Sequence, residues 1–163
     1  MKEEIKEEIK EEIKKEIKEE IKAYQHKVQY YETDQMGIVH HSNYIRWFEE
    51  ARTDLLEQVG FTYQKMEECG VVIPVIGVNC EYKSMVRFND IVTILPRVTE
   101  FNGVKLTVAY QIIDSVTGKL CTVGETKHCF LNSDYKMFRL AKEKPEVYQI
   151  FKELLELGSE KSE

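Results

Sequence analysis

The sequence predicts an α+β domain in which one long helix lies across an antiparallel sheet. Three observations predict it. Residues 43–59 place Tyr44, Trp47, Phe48, Ala51, Leu55 and Val59 at the spacing of one broad helical face. From Val71 onward the chain turns β-rich, with Asn102-Gly103 and Thr117-Gly118 as turn signals. Pro145 then opens a closing amphipathic helix that carries Val147, Ile150, Phe151, Leu154 and Leu155 on one side.

Residues 1–22 form a unit of their own. After the initiator they contain only Lys, Glu and Ile, with isoleucine at Ile5, Ile9, Ile13, Ile17 and Ile21. Lys and Glu favour helix, and charges three apart can pair. A period of four turns the isoleucine row by roughly 40° per step, so the stripe winds around the helix and specifies no coiled-coil partner. This segment reads as an appended helical extension, and residues 23–163 as the functional domain.

In that domain, residues 27–32 read as a first strand with Val28 and Tyr30 on one face. A polar loop with Thr33, Asp34 and Gly37 follows. Ser42 or Asn43 is expected to cap the long helix and Gly60 to end it. A short helix over 63–69, closed by Gly70, precedes strands over 71–82 and 91–100. Pro96 demands a sheet edge or a bulge. Val104, Leu106, Val108, Tyr110 and Ile112 alternate with polar residues, and 120–131 is the last strand. Gly124 within it suggests close backbone approach, with a subunit contact as one reading, and His128 is expected to pack on the strand. Gly158 and the polar tail are expected to end the final helix.

Composition narrows the function. The 163 residues suit one domain. A formal net charge of -6 without a long basic run argues against nucleic acid, leaving room for a local basic patch on one small anion. Cys69, Cys80, Cys121 and Cys129 form no CxxC pair, which fits free thiols in a reduced interior. No apolar run approaches the roughly 18 residues of a membrane span, and the charged N-terminus does not read as a secretory signal. The expected address is cytoplasmic.

The chemistry concentrates in residues 30–44, Tyr-Tyr-Glu-Thr-Asp-Gln-Met-Gly-Ile-Val-His-His-Ser-Asn-Tyr. A tyrosine, a carboxylate and a histidine meet at a strand–loop–helix junction. Thioester hydrolysis needs a carboxylate that attacks the carbonyl or activates water, and donors for the developing oxyanion. A helix N-terminus offers unpaired N–H groups and a positive dipole end. Taken alone, Asp34 also suits side-chain capping of its own Thr-Asp-x-x-Gly turn. Glu49 and Arg52, three apart on the helix, suit an ion pair.

This run resembles the hotdog-fold acyl-CoA thioesterases of the 4-hydroxybenzoyl-CoA and Tol–Pal-associated group. Tyr30, Thr33-Asp34, Gly37, His41, Tyr44, Glu49 and Ala51-Arg52 carry the resemblance, with a second block from Glu81-Tyr82 through Arg87 to Asp90. It covers about residues 27–151. The resemblance implies a sheet wrapped around the long central helix and hydrolysis of acyl-CoA to free acid and CoA. Asp34 is then nucleophile or general base. Tyr30 and His41 orient the carboxylate or the thioester, and the His41 amide polarises the carbonyl. It further implies a homodimer or homotetramer with active sites between subunits, and no metal or cofactor beyond the CoA of the substrate. Lys83, Arg87 and Arg139 are the candidates for the CoA phosphates, ordinary surface charge being the other reading. Met85 stands where the family often has Pro, and residues 137–141 depart from the family's pattern at the CoA-binding rim. Other readings are a non-catalytic acyl-CoA-binding protein of the same fold, an engineered assembly scaffold built on a thioesterase, and a dehydratase acting on acyl carrier protein.

Overall fold

The computed structural model describes residues 21–160 together with residues 4, 5 and 8. The helix expected over 1–22 therefore lies almost wholly outside the described residues. Strand β1 is Tyr24–Lys27, followed by a 3-10 turn at Tyr30–Glu32. Helices α1 (Ser42–Gln58) and α2 (Tyr63–Cys69) come next. Strands β2 (Val75–Tyr82), β3 (Ile91–Phe101), β4 (Lys105–Asp114) and β5 (Leu120–Cys129) follow; β3, β4 and β5 form a β-meander, and β2 pairs with the outer side of β5. The short α3 (Leu140–Glu143) and the long α4 (Pro145–Glu160) close the chain. The sheet is antiparallel, in the order β1-β3-β4-β5-β2.

The expected helical face of α1 is the core of the domain. Tyr44, Trp47, Phe48, Ala51 and Leu55 are all buried. They meet Val92, Ile94, Leu106, Val108, Tyr110 and Ile112 of the sheet. Burial of each large apolar side chain is worth about 1.5–3 kcal/mol. Phe48 stacks on Tyr110, with centroids 4.3 Å apart and an interplanar angle of 13°. Gly124 makes that stack possible. A Cβ there would sit 2.7 Å from the Phe48 ring and 2.6 Å from the Asn79 carbonyl. The close approach expected at Gly124 is thus to α1 and β2 of the same chain. We expect Gly124→Ala to cost about 1–3 kcal/mol through overpacking, read as a lowered urea midpoint. An unchanged midpoint would mean that Phe48 has slack the packing does not reveal.

Four expectations need correcting. Residues 27–32 do not form the first strand. The strand lies earlier, and the chain tightens at Tyr30 because the Glu32 and Thr33 N–H groups donate to Gln29 O and Tyr30 O. Val28 is buried, but Tyr30 is 77 % exposed. Neither Ser42 nor Asn43 caps α1, and His41 occupies the N-cap position. Arg52 does not pair with Glu49; its Nη1 donates to the Tyr110 hydroxyl at 2.9 Å. Gly158 does not end α4, which continues to Glu160. It is buried where a Cβ would collide with the Val98 carbonyl, so the helix can lie directly on β3.

Pro96 resolves as the sequence requires. β1 pairs with β3 only through Ile91–Ile94, so Pro96 faces no strand on that side, and a bulge follows between Val98 and Glu100. Gly60 and Gly70 end their helices with positive φ, and Gly103 and Gly118 make the hairpin turns. All four cysteines are free, but only Cys121 and Cys129 are fully buried. Among the described residues no helix is long and apolar enough to cross a membrane.

Candidate active site

Three elements converge on the loop between the 3-10 turn and α1. Thr33 and Val39 form an isolated bridge, so residues 33–39 fold back as a tight hairpin. The Asp34 N–H donates to Ile38 O and the Gly37 N–H to Asp34 O, both at 2.9 Å. Gly37 supplies the φ of +76° the turn requires. The Met36 N–H donates to Asp34 Oδ1 at 2.8 Å. The other carboxylate oxygen of Asp34 makes no hydrogen bond among the described residues, and the side chain is half-buried.

The second arm of the loop leads into the helix. The Val39 N–H donates to Val86 O, and the His40 N–H to Glu32 O at 2.9 Å. The His40 imidazole takes the capping role, its Nδ1 lying 2.8 Å from Ser42 Oγ and accepting the Ser42 N–H at 3.3 Å. The His41 ring is exposed and lies on His40 with centroids 4.1 Å apart. Its carbonyl accepts the Tyr82 hydroxyl at 3.0 Å. Its amide has no hydrogen-bond partner among the described residues. An N-cap amide left open at the positive end of a 17-residue helix is a ready donor for an anion. Burial, then the Cys80 thiol, raises the Tyr82 phenol to about 12, so it stays a donor at neutral pH.

The other expected residues stand apart. Tyr30 lies on the surface with its ring edge-on to Phe88 at 5.7 Å. Among the described residues no hydrogen bond joins the side chains of Tyr30, Asp34 and His41. Lys83 follows β2 and pairs with Glu81 at 3.2 Å. Arg87 sits in the β2–β3 loop, its backbone N–H bonded to Asp90 Oδ2. Lys83 lies beside Cys121 at the start of β5, whereas Arg139 follows the far end of that strand at Cys129. Ten residues of strand span about 30 Å, so the three cations do not gather within one chain. A cavity of about 130 Å³ between α1, α2 and α4 is lined by residues outside the 30–44 run. Among the described residues no cluster of His, Cys, Asp and Glu is placed to hold a metal.

The structure adds a group that sequence reasoning passed over. Glu32 is buried, and its Oε1 accepts the Gln29 N–H at 2.8 Å and contacts His26 Nε2 at 2.6 Å. Its Oε2 accepts the Trp47 indole N–H at 2.6 Å. Burial alone pushes such a carboxyl up, but the Gln29, His26 and Trp47 donors outweigh it and hold Glu32 below the usual range. Its carbonyl accepts the Asn43 amide at 2.8 Å as well as the His40 N–H. A lone Glu in a polar run reads as a solvated residue, so no signal in the chain marked it.

The model of the thioesterase-like superfamily matches residues 28–152. YneP of Bacillus subtilis, provisionally named an acyl-CoA thioesterase, is 33 % identical over 126 residues, spanning 77 % of this chain and 91 % of that protein. The acyl-CoA thioester hydrolase YbgC of Escherichia coli O6:H1 is 29 % identical over 89 residues, 55 % of this chain and 66 % of its own length. Among solved structures, a DHNA-CoA thioesterase from Staphylococcus aureus superposes with a TM-score of 0.78 at 30 % identity, covering 85 % of this chain and 93 % of that one. The helix wrapped by a five-stranded sheet, the Asp34 hairpin before it and the matched span thus agree: the chain belongs to the thioesterase-like superfamily.

Proposed function

We propose that the protein hydrolyses acyl-CoA thioesters to free acid and CoA, with Asp34 as nucleophile or general base. The observation that carries the reading is the Asp34 hairpin. One carboxylate oxygen is tied to the turn and the other is open, and the same loop delivers an unpaired His41 amide at a helix N-terminus. As general base, Asp34 takes a proton from water as the water oxygen attacks the acyl carbon. The carbonyl oxygen gathers negative charge against the His41 N–H and the dipole of α1. The C–S bond then breaks and CoA leaves as the thiol after gaining a proton. As nucleophile, Asp34 first forms a mixed anhydride that water cleaves. Single turnover in ¹⁸O-water can reveal the second route, because label enters Asp34 only when water cleaves the anhydride at the Asp34 carbonyl carbon.

The site is completed by a second copy of the chain. What supports this is β2, a sheet-edge strand that exposes Val75, Ile76, Val78 and Tyr82 together. Tyr82 also holds the His41 carbonyl, so that edge adjoins the helix tip. Pairing through β2 gives a homodimer or, with dimers paired again, a homotetramer. Across such an interface Tyr30 and His41 orient the substrate, and Lys83, Arg87 and Arg139 from different protomers meet the CoA phosphates. Residues 23–163 are the catalytic unit and 1–22 an appendage, working in the cytoplasm with no cofactor beyond the substrate's CoA. We expect Val78→Lys to halve the mass seen by light scattering and to depress activity with it. An unchanged mass places the interface elsewhere.

The deciding experiment is thiol release from aromatic and aliphatic acyl-CoAs. Turnover supports the enzyme, and binding without release makes the protein a carrier or sensor.

A further inference from the structure

We propose that Glu32 is a positioning residue for thioester hydrolysis, locking the Asp34 hairpin onto the first turn of α1. The inference rests on the reading of Asp34 and the His41 amide given above.

Glu32 lies two residues before Asp34, and its carbonyl holds the amide one residue before His41. The carbonyl also takes the Asn43 side chain from inside α1. Its carboxylate fixes the other side of the junction, gripping Gln29 N–H at the start of the 3-10 turn and Trp47 one helical turn beyond Asn43. One residue therefore ties both halves of the candidate site, the carboxylate and the oxyanion donor, to the same rigid helix. His26 is held in turn by Glu50 at 3.3 Å, and Glu50 by the Tyr24 hydroxyl at 3.0 Å, so the clasp extends into β1.

The choice of a charged residue needs explaining. An ionised carboxylate that is 5 % exposed is costly, and an apolar side chain of like volume would serve packing as well or better. Three donors in three directions fix the loop in all of them, which apolar contacts do not. Reacting groups misplaced by about 1 Å lose on the order of 100-fold in rate.

The test uses the full chain. Glu32→Gln keeps the volume but must set its NH2 against a donor on one side, the Trp47 indole N–H or the Gln29 N–H with His26. We expect kcat to fall roughly 10- to 100-fold with KM little changed and native far-UV circular dichroism. Trp47 is the only tryptophan, so its emission should shift in the same variant. A purely structural Glu32 would lower the melting temperature and leave kcat of the folded fraction intact, and that result overturns the inference. Should Glu32→Gln fail to fold, Trp47→Phe removes one donor and keeps an aromatic ring. A lowered kcat at constant KM then supports the clasp, and wild-type kcat overturns it. If the unaltered protein releases no thiol, the thioesterase reading falls and this one with it. If it is active, Asp34→Asn is dead and Glu32→Gln is normal, the clasp alone is wrong.

Discussion

Asp34→Asn should abolish acyl-CoA hydrolysis while leaving the fold intact. A positioned carboxylate that moves a proton is worth about 10²–10⁴ in rate, and an amide cannot do its work as base or nucleophile. Structure should survive because the turn uses one side-chain oxygen as an acceptor for the Met36 N–H, and Asn keeps that oxygen. Asp34→Ala is the contrasting variant. It loses the acceptor too and should cost about 0.5–1.5 kcal/mol of stability besides activity. The two variants separate chemistry from turn-making, the two roles the sequence left open for this residue. Thiol release at wild-type rate by Asp34→Asn would remove the carboxylate from the mechanism. Equal destabilisation by both variants would make Asp34 a turn former first.

Much of the scaffold was legible because its signals are local. The 3.6-residue stripe of α1 needs no partner to be recognised, and Gly60, Gly70, Gly103 and Gly118 mark reversals whose φ only glycine adopts cheaply. The Tyr30–Tyr44 run was legible as a unit because residue types and spacing agree along it. What stayed hidden depends on contacts distant in sequence. Glu32 is buried only because Trp47 and His26 arrive from another helix and another strand. Thr122 and Thr126 are polar residues buried on β5, so the alternation rule points them outward, whereas His128 packs on that strand as expected. Gly158 looked like a helix end because glycine usually is one, and only the contact with Val98 gives it a place inside α4.

Acid should weaken this protein before its carboxylates titrate, and His128 is the reason. It is fully buried on β5, next to Arg52, Tyr110 and Thr126. Arg52 can only donate, so it donates to the Tyr110 hydroxyl, which is 2.7 Å from Thr126 Oγ1. Thr126 Oγ1 is 2.8 Å from His128 Nε2. One consistent chain runs Arg52 to Tyr110 to Thr126 to a neutral imidazole that accepts at Nε2. Nδ1 is left with no partner. Burial first, and the Arg52 charge second, push the imidazole down from 6.5 to about 4, against a weaker pull from the Ile73 and Pro74 backbone. The folded chain then binds this proton less readily than the unfolded chain. Its contribution to stability is complete above about pH 6.5 and is lost as pH falls toward 4. At 1.36 kcal/mol per pH unit the loss approaches about 3 kcal/mol. Glu32 contributes in the same direction but at lower pH, because its folded value lies below 4.5. Urea midpoints at pH 7, 5.5 and 4.5 follow the His128 window, and a further midpoint below pH 4 enters that of Glu32. His128→Leu removes the buried base, leaves Thr126 bonded to Tyr110, and should flatten the drop between pH 6.5 and 4.5. If the wild type and His128→Leu lose the same stability over that interval, the acid sensitivity belongs to another group, and the imidazole keeps its ordinary affinity for a proton inside the sheet.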